Sequence, residues 1–166
     1  MLVGGAVARL AKPVIVRVLR ADASADPRID YRLVAFGAIL PDLIDKPLAW
    51  VFFPSTFSDL HLYGHTILFG AGLTVVGLAL ARKGDLRLLL VGIGTVSHLP
   101  VDPVARNAST LLWPLLGTEF DSTRAVVPYS YVIDFAFLLI LALLATSRTW
   151  RERMRRFVRT GEVPGG

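Results

Sequence analysis

Four long apolar runs dominate the chain: Leu33 to Phe53, Thr66 to Ala81, Leu88 to Ala105 and Tyr131 to Thr146, each 16 to 21 residues long. A helix needs about 20 such residues to cross a hydrocarbon core ~30 Å thick, so the pattern predicts four transmembrane helices, the shorter ones extended into their flanks. A soluble four-helix protein would carry a polar stripe on each helix, and Phe135 to Ala145 contains no polar residue at all. The predicted fold class is therefore all-α, a polytopic membrane helical bundle. Residues 1–147 form one membrane-embedded domain, with 1–31 as an N-terminal interfacial segment and 32–147 as the four-helix bundle. Residues 148–166 form a basic tail. Within the first segment Arg9, Lys12, Arg17 and Arg20 fall on one helical face, which predicts an amphipathic helix lying on the membrane surface. The same charges interrupt the apolar stretch before Ala23-Ser24-Ala25 and exclude a cleavable signal peptide.

Composition agrees with that division. The chain has 166 residues, 54% of them hydrophobic and only 19% charged, with a mean hydropathy of +0.57, which excludes a disordered chain. It has no cysteine, which excludes disulfides, thiolate-bound metals and thiol nucleophiles. The net charge of +5 invites a nucleic-acid reading, and the placement of the charges argues against it. Arg9 to Arg32 precede the first span, Arg82, Lys83 and Arg87 join the second to the third, and six arginines from Arg148 to Arg159 follow the fourth. The opposite side holds Arg106 and Arg124. The positive-inside rule then predicts a multi-pass protein of the inner (plasma) membrane with both termini cytoplasmic. The tail is expected to meet anionic membrane lipid, and no direct nucleic-acid partner is expected.

The chemistry lies in polar residues within or beside the spans. The first span carries Pro41-Asp42-Leu43-Ile44-Asp45-Lys46. A charge there costs about 2.5 to 3.5 kcal/mol even on the lenient insertion scale, so these groups need partners or a cavity. The second begins with His61-Leu-Tyr-Gly-His65, and four residues of helix would point both imidazoles the same way. The third ends in His98-Leu-Pro-Val-Asp102, again spaced by four. Each pair alone is ordinary packing. Together they include every histidine of the chain, and the topology puts Asp42, Asp45, His61, His65, His98 and Asp102 at one depth near the extracytoplasmic surface.

Six nitrogen and oxygen donors suit a borderline or hard divalent ion, zinc first, with manganese and iron as alternatives. They exceed the needs of a single catalytic zinc with three ligands and an open position. The set thus predicts two ions bridged by Asp42 or Asp102, or one ion with outlying carboxylates orienting the histidines. Water activated by the metal would be the nucleophile, and Asp45 would be the catalytic residue taking its proton.

The string Gly37-Ala-Ile-Leu-Pro-Asp-Leu-Ile-Asp-Lys46, then His61-x-x-x-His65-Thr66, Ser97-His98-Leu-x-x-Asp102 and Trp113-Pro114-x-x-Gly117 resembles the YdjM-like family of LexA-binding, inner-membrane-associated metal-dependent hydrolases. The resemblance runs from about Arg32 to Gly117 and implies a metal site at Asp42, His61, His65, His98 and Asp102. Leu62 stands where family members often have arginine, and Pro103-Val-Ala-Arg106 replaces their usual continuation after the aspartate. The His-x-x-x-Asp spacing is also similar to that of zinc-dependent phospholipases C, and this analogy implies an ester or phosphoester in a lipid or lipid-linked substrate. Lys46, Arg106 and Arg124 are the candidate substrate-binding cations. The alternatives are a metal or proton transporter using the same residues as a transit site, and a non-catalytic membrane protein with a structural metal whose tail binds a regulatory protein.

Overall fold

The computed structural model describes residues 29–52, 61–102, 107–118, 120, 136 and 139–162, and the described residues are helical or in turns. The N-terminal interfacial helix, Arg106, Arg124 and the first part of the fourth run lie outside them.

Helix α1 spans Tyr31–Pro47 and starts where Asp30 accepts a hydrogen bond from the Arg32 backbone, an N-cap that satisfies one of the orphan donors of a first turn. Pro47 has no N–H to give the carbonyl of Leu43, and the helix continues past it as a π-turn over Leu48–Phe52. A short 3-10 turn, Tyr63–His65, leads into α2, Ile67–Ala81, whose N-cap is Thr66, bonded to the Phe69 backbone at 3.1 Å. Residues 82–86 then reverse the chain, with Gly84 supplying the left-handed φ of 94°. Helix α3 is Arg87–His98, α4 is the four-residue Ala108–Leu111, residues 139–146 are helical, and α5 is Arg148–Thr160.

Helix α3 is central and packs along both α1 and α2. It approaches α1 closely because two glycines meet at the seam. A Cβ on Gly37 would collide with the carbonyl of Val91, and one on Gly94 with the carbonyl of Val34. The Thr95 hydroxyl crosses the same seam, within 3.1 Å of the carbonyls of both Gly37 and Val91.

The interior of the layer mixes apolar residues such as Val34, Leu62, Leu89 and Leu90 with polar ones, and many large apolar residues lie outside. Asp45, His65, Thr66, Thr95 and Ser97 are buried, whereas Ile39, Leu43, Leu68, Val75 and Val76 are more than half exposed. Exposed apolar residues in this number form a surface suited to apolar surroundings.

The first three apolar runs correspond in order to α1 with its π-turn, α2 and α3, and the third is shorter as a helix than as an apolar run, while the basic tail contains the helix α5. Among the described residues no helix is long and apolar enough to cross a membrane. Helix α2 has 15 residues and α3 has 12, or about 22 and 18 Å at 1.5 Å per residue, each shorter than the ~30 Å of a hydrocarbon core, and residues 131–135, 137 and 138 of the fourth run lie outside the described residues. The third run ends as helix at His98 because Pro100 cannot donate the next bond, and Val101 closes a tight turn onto the His98 carbonyl instead. The first run is helical through Pro41 and on past Pro47, and carries Asp42, Asp45 and Lys46.

Candidate metal centre

The site forms where α1, the 3-10 turn and the end of α3 converge, and its organising group is the buried Asp45 carboxylate, 0% exposed. It accepts hydrogen bonds from the backbone N–H groups of Leu62 at 2.6 Å, Gly64 at 2.9 Å and His65 at 3.3 Å. A fourth comes from His65 Nδ1 at 2.7 Å. Residues 62–65 are wound around this anion as a backbone nest, which explains why they are not α-helical. A side chain at Gly64 would press on the Pro41 backbone and on Asp45 itself, so glycine is required by proximity there.

That arrangement replaces the helical spacing expected for His61 and His65. His61 is in coil and His65 ends the 3-10 turn, yet their rings meet edge to face at 4.7 Å because the turn curls back. It also places Asp45, expected as the proton acceptor, against the His65 ring. Its oxygens are enclosed by donors and reach no solvent, so it orients His65 and fixes the tautomer that leaves Nε2 with its lone pair outward.

The remaining donors gather around that lone pair. His65 Nε2 lies 3.3 Å from His98 Nε2 and 3.6 Å from Asp42 Oδ1. Asp102 reaches His61 Nε2 with one oxygen at 3.0 Å and His98 Nε2 with the other at 3.4 Å. Two overlapping sets result, Asp42 with His65 and His98, and His61 with His65 and Asp102, each with its ligand atoms within 4.8 Å of one another. Neighbouring donors stand 3.0 to 3.6 Å apart, close enough to pair directly with one another or to share an ion. Imidazole nitrogen and carboxylate oxygen are donors that borderline and hard divalent ions accept. The donor set therefore fits a divalent ion. His65 Nε2 has one lone pair, so it serves one ion only, and the two oxygens of Asp102 are the natural link between neighbouring positions.

The site is open on one side. Side-chain exposure is 31% for Asp42, 25% for His61, 15% for His98 and 12% for Asp102, against 0% for His65. Lys46 pairs with Asp42 at 3.1 Å across one helical turn and is itself 44% exposed. Arg106 and Arg124, expected as substrate contacts, lie outside the described residues.

Sequence reasoning missed an aromatic cluster beside the 3-10 turn. Tyr63, between the two histidines, packs edge to face on Trp113 at 5.2 Å and on Phe120 at 4.9 Å, and α4 packs against the same 3-10 turn. The alternation His61-x-Tyr63-x-His65 was the available signal. Thr110, in α4, is fully buried, and its hydroxyl has no hydrogen-bond partner among the described residues.

Residues 1–162 match the sequence model of a family described as YdjM inner membrane protein. No curated protein and no solved structure matches the chain.

Proposed function

The chain belongs to the YdjM inner membrane protein family, and from that premise we propose that it is a membrane-embedded, metal-dependent hydrolase of an ester or phosphoester in a lipid or lipid-linked substrate. The observation that carries the reading is the convergence of five donors, Asp42, His61, His65, His98 and Asp102, on an opening with a buried carboxylate behind it. Catalytic sites keep ligands accessible and structural sites close over them, and here four of the five reach the surface. The apolar exterior of the three-helix layer supports a lipid setting, with α1 and its π-turn embedded and both termini on the cytoplasmic face.

A divalent ion, zinc first with manganese or iron as alternatives, would be held by Asp42, His65 and His98, with Asp102 and His61 completing it or holding a second, and it would supply Lewis acidity that makes water nucleophilic near neutral pH. The protein's own groups do the rest. Asp45 holds His65 in one tautomer, Asp102 joins His61 to His98, and the half-exposed Lys46 is the cation at hand for a phosphoryl oxygen. Tyr63, Trp113 and Phe120 offer an apolar wall for the substrate's lipid portion.

The test is turnover by detergent-purified protein on a panel of phosphomonoester, phosphodiester and carboxylic ester lipids. Activity on one class, abolished by chelation, restored by one divalent ion and absent from His98→Ala, is the expected result. No turnover on any class by metal-loaded protein would refute it.

A further inference from the structure

The last described helix has no place in the site and no buried residue of its own. Helix α5 is instead fastened at both ends. At its start, Ser147 caps it, and Arg151 donates to the carbonyls of Ala145 and Thr146, each at 3.0 Å, closing the preceding helical stretch. At its end, Gly161 adopts the left-handed φ of 72° and bonds back to Phe157 at 2.8 Å. The Gly161 carbonyl accepts from the Tyr31 backbone at 2.9 Å, and Arg32 donates to the carbonyl of Val158 at 3.0 Å while pairing with Asp30. Helix α5, about 20 Å long, therefore bridges the end of one apolar helix and the beginning of another.

Its two faces are sharply divided. At about 100° per residue, Phe157, Trp150, Met154 and Val158 occupy one arc roughly 100° wide. Six arginines fill most of the remainder, with Glu152 the single acidic residue in the helix, and Arg151 and Arg153 flank the apolar arc. Val158 is 60% exposed. An apolar stripe edged with arginine complements an anionic lipid surface, where stems and rings enter the acyl boundary and guanidinium groups meet phosphates.

We propose that α5 is an in-plane anchor that docks on the anionic cytoplasmic leaflet and holds the beginning of α1 at a fixed depth. The proposal rests on membrane location and is independent of the metal centre.

The test uses the full chain with Trp50→Phe and Trp113→Phe, leaving Trp150 as the only tryptophan, reconstituted in phosphatidylcholine vesicles with and without 30% phosphatidylglycerol and with brominated acyl chains. Trp150 emission should shift to the blue and be quenched in the anionic vesicles. The docked-to-free ratio should fall about fivefold for each of Arg153→Gln, Arg155→Gln and Arg156→Gln, and also on raising salt. These three changes spare both tethers and the apolar arc, so unaltered elution on size exclusion separates lost docking from lost folding. Equal quenching in neutral and anionic vesicles, or none in either, would overturn the proposal. The second result is also the one expected if another segment of the chain covers the apolar arc.

Discussion

Replacing Asp45 by asparagine tests the reading of this carboxylate as the group that positions His65. The amide keeps the shape but offers one oxygen. Turned toward Leu62 and His65, that oxygen can accept three of the four native bonds, and its NH₂ then confronts the buried Gly64 N–H. A buried donor left facing another donor costs about 1 to 3 kcal/mol, and the bonds that survive lose their charge assistance. The sum is roughly 3 kcal/mol of stability, and loss of a group that orients a metal-ligating histidine lowers metal affinity about 10- to 100-fold. Asp45→Ala, which abandons every one of these donors and opens a cavity, should lose more than Asp45→Asn on both measures. The assay is equilibrium unfolding of detergent-solubilised protein, metal-free and metal-loaded, together with competitive metal titration against a chromophoric chelator. Asp45→Asn within about 0.5 kcal/mol of wild type, with metal affinity unchanged within twofold, would refute the reasoning, because no group with these four partners can be lost so cheaply.

Three further outcomes follow from particular contacts. Gly94→Val would drive a side chain into the Val34 carbonyl and should destabilise the protein by about 3 kcal/mol, read by thermal unfolding, whereas Gly72→Ala, where a Cβ meets nothing within 4 Å, should be neutral or mildly stabilising. Thr110→Val removes a buried hydroxyl that has no partner among the described residues and should leave stability unchanged or raise it by about 1 kcal/mol in the same assay. The hydrogen bond and charge of the Arg32 guanidinium hold the Asp30 carboxyl below the ordinary aspartate value. Its contribution is therefore complete above that value and disappears as pH falls through the lowered one, so hydrogen exchange at Tyr31 should accelerate only on strong acidification, and the pH dependence should vanish in Asp30→Asn.

Helices α1 to α3 were legible as apolar runs, and the residues that bound them in the structure, Asp30 and Thr66 as caps, Gly84 at the reversal and Pro100 after His98, act locally. Convergence of the titratable groups was legible too, since alternating helix direction puts Asp42, His61, His65, His98 and Asp102 at one end. Their geometry was not. The His61 and His65 rings meet through a 3-10 turn rather than along a helix, and that turn exists because Asp45, 17 to 20 residues away, captures its amides. Such a carboxylate looks like any other charged residue in the sequence; only tertiary structure distinguishes an anion enclosed by backbone from one free to accept a proton. The early end of the third run was hidden for a related reason. Hydropathy measures composition, and Pro100, after which α3 cannot continue, counts there as one more residue of an apolar run.

The most direct test of the central claim is metal content, measured by elemental mass spectrometry on protein purified in detergent and reconstituted with zinc, manganese and iron in turn. The account predicts one or two tightly held ions per chain in the wild type, lost in both His98→Ala and Asp42→Asn. A wild-type protein that retains no ion under any of these conditions would contradict it, and would leave the three histidines and their aspartates as hydrogen-bonded packing at the end of a helical layer.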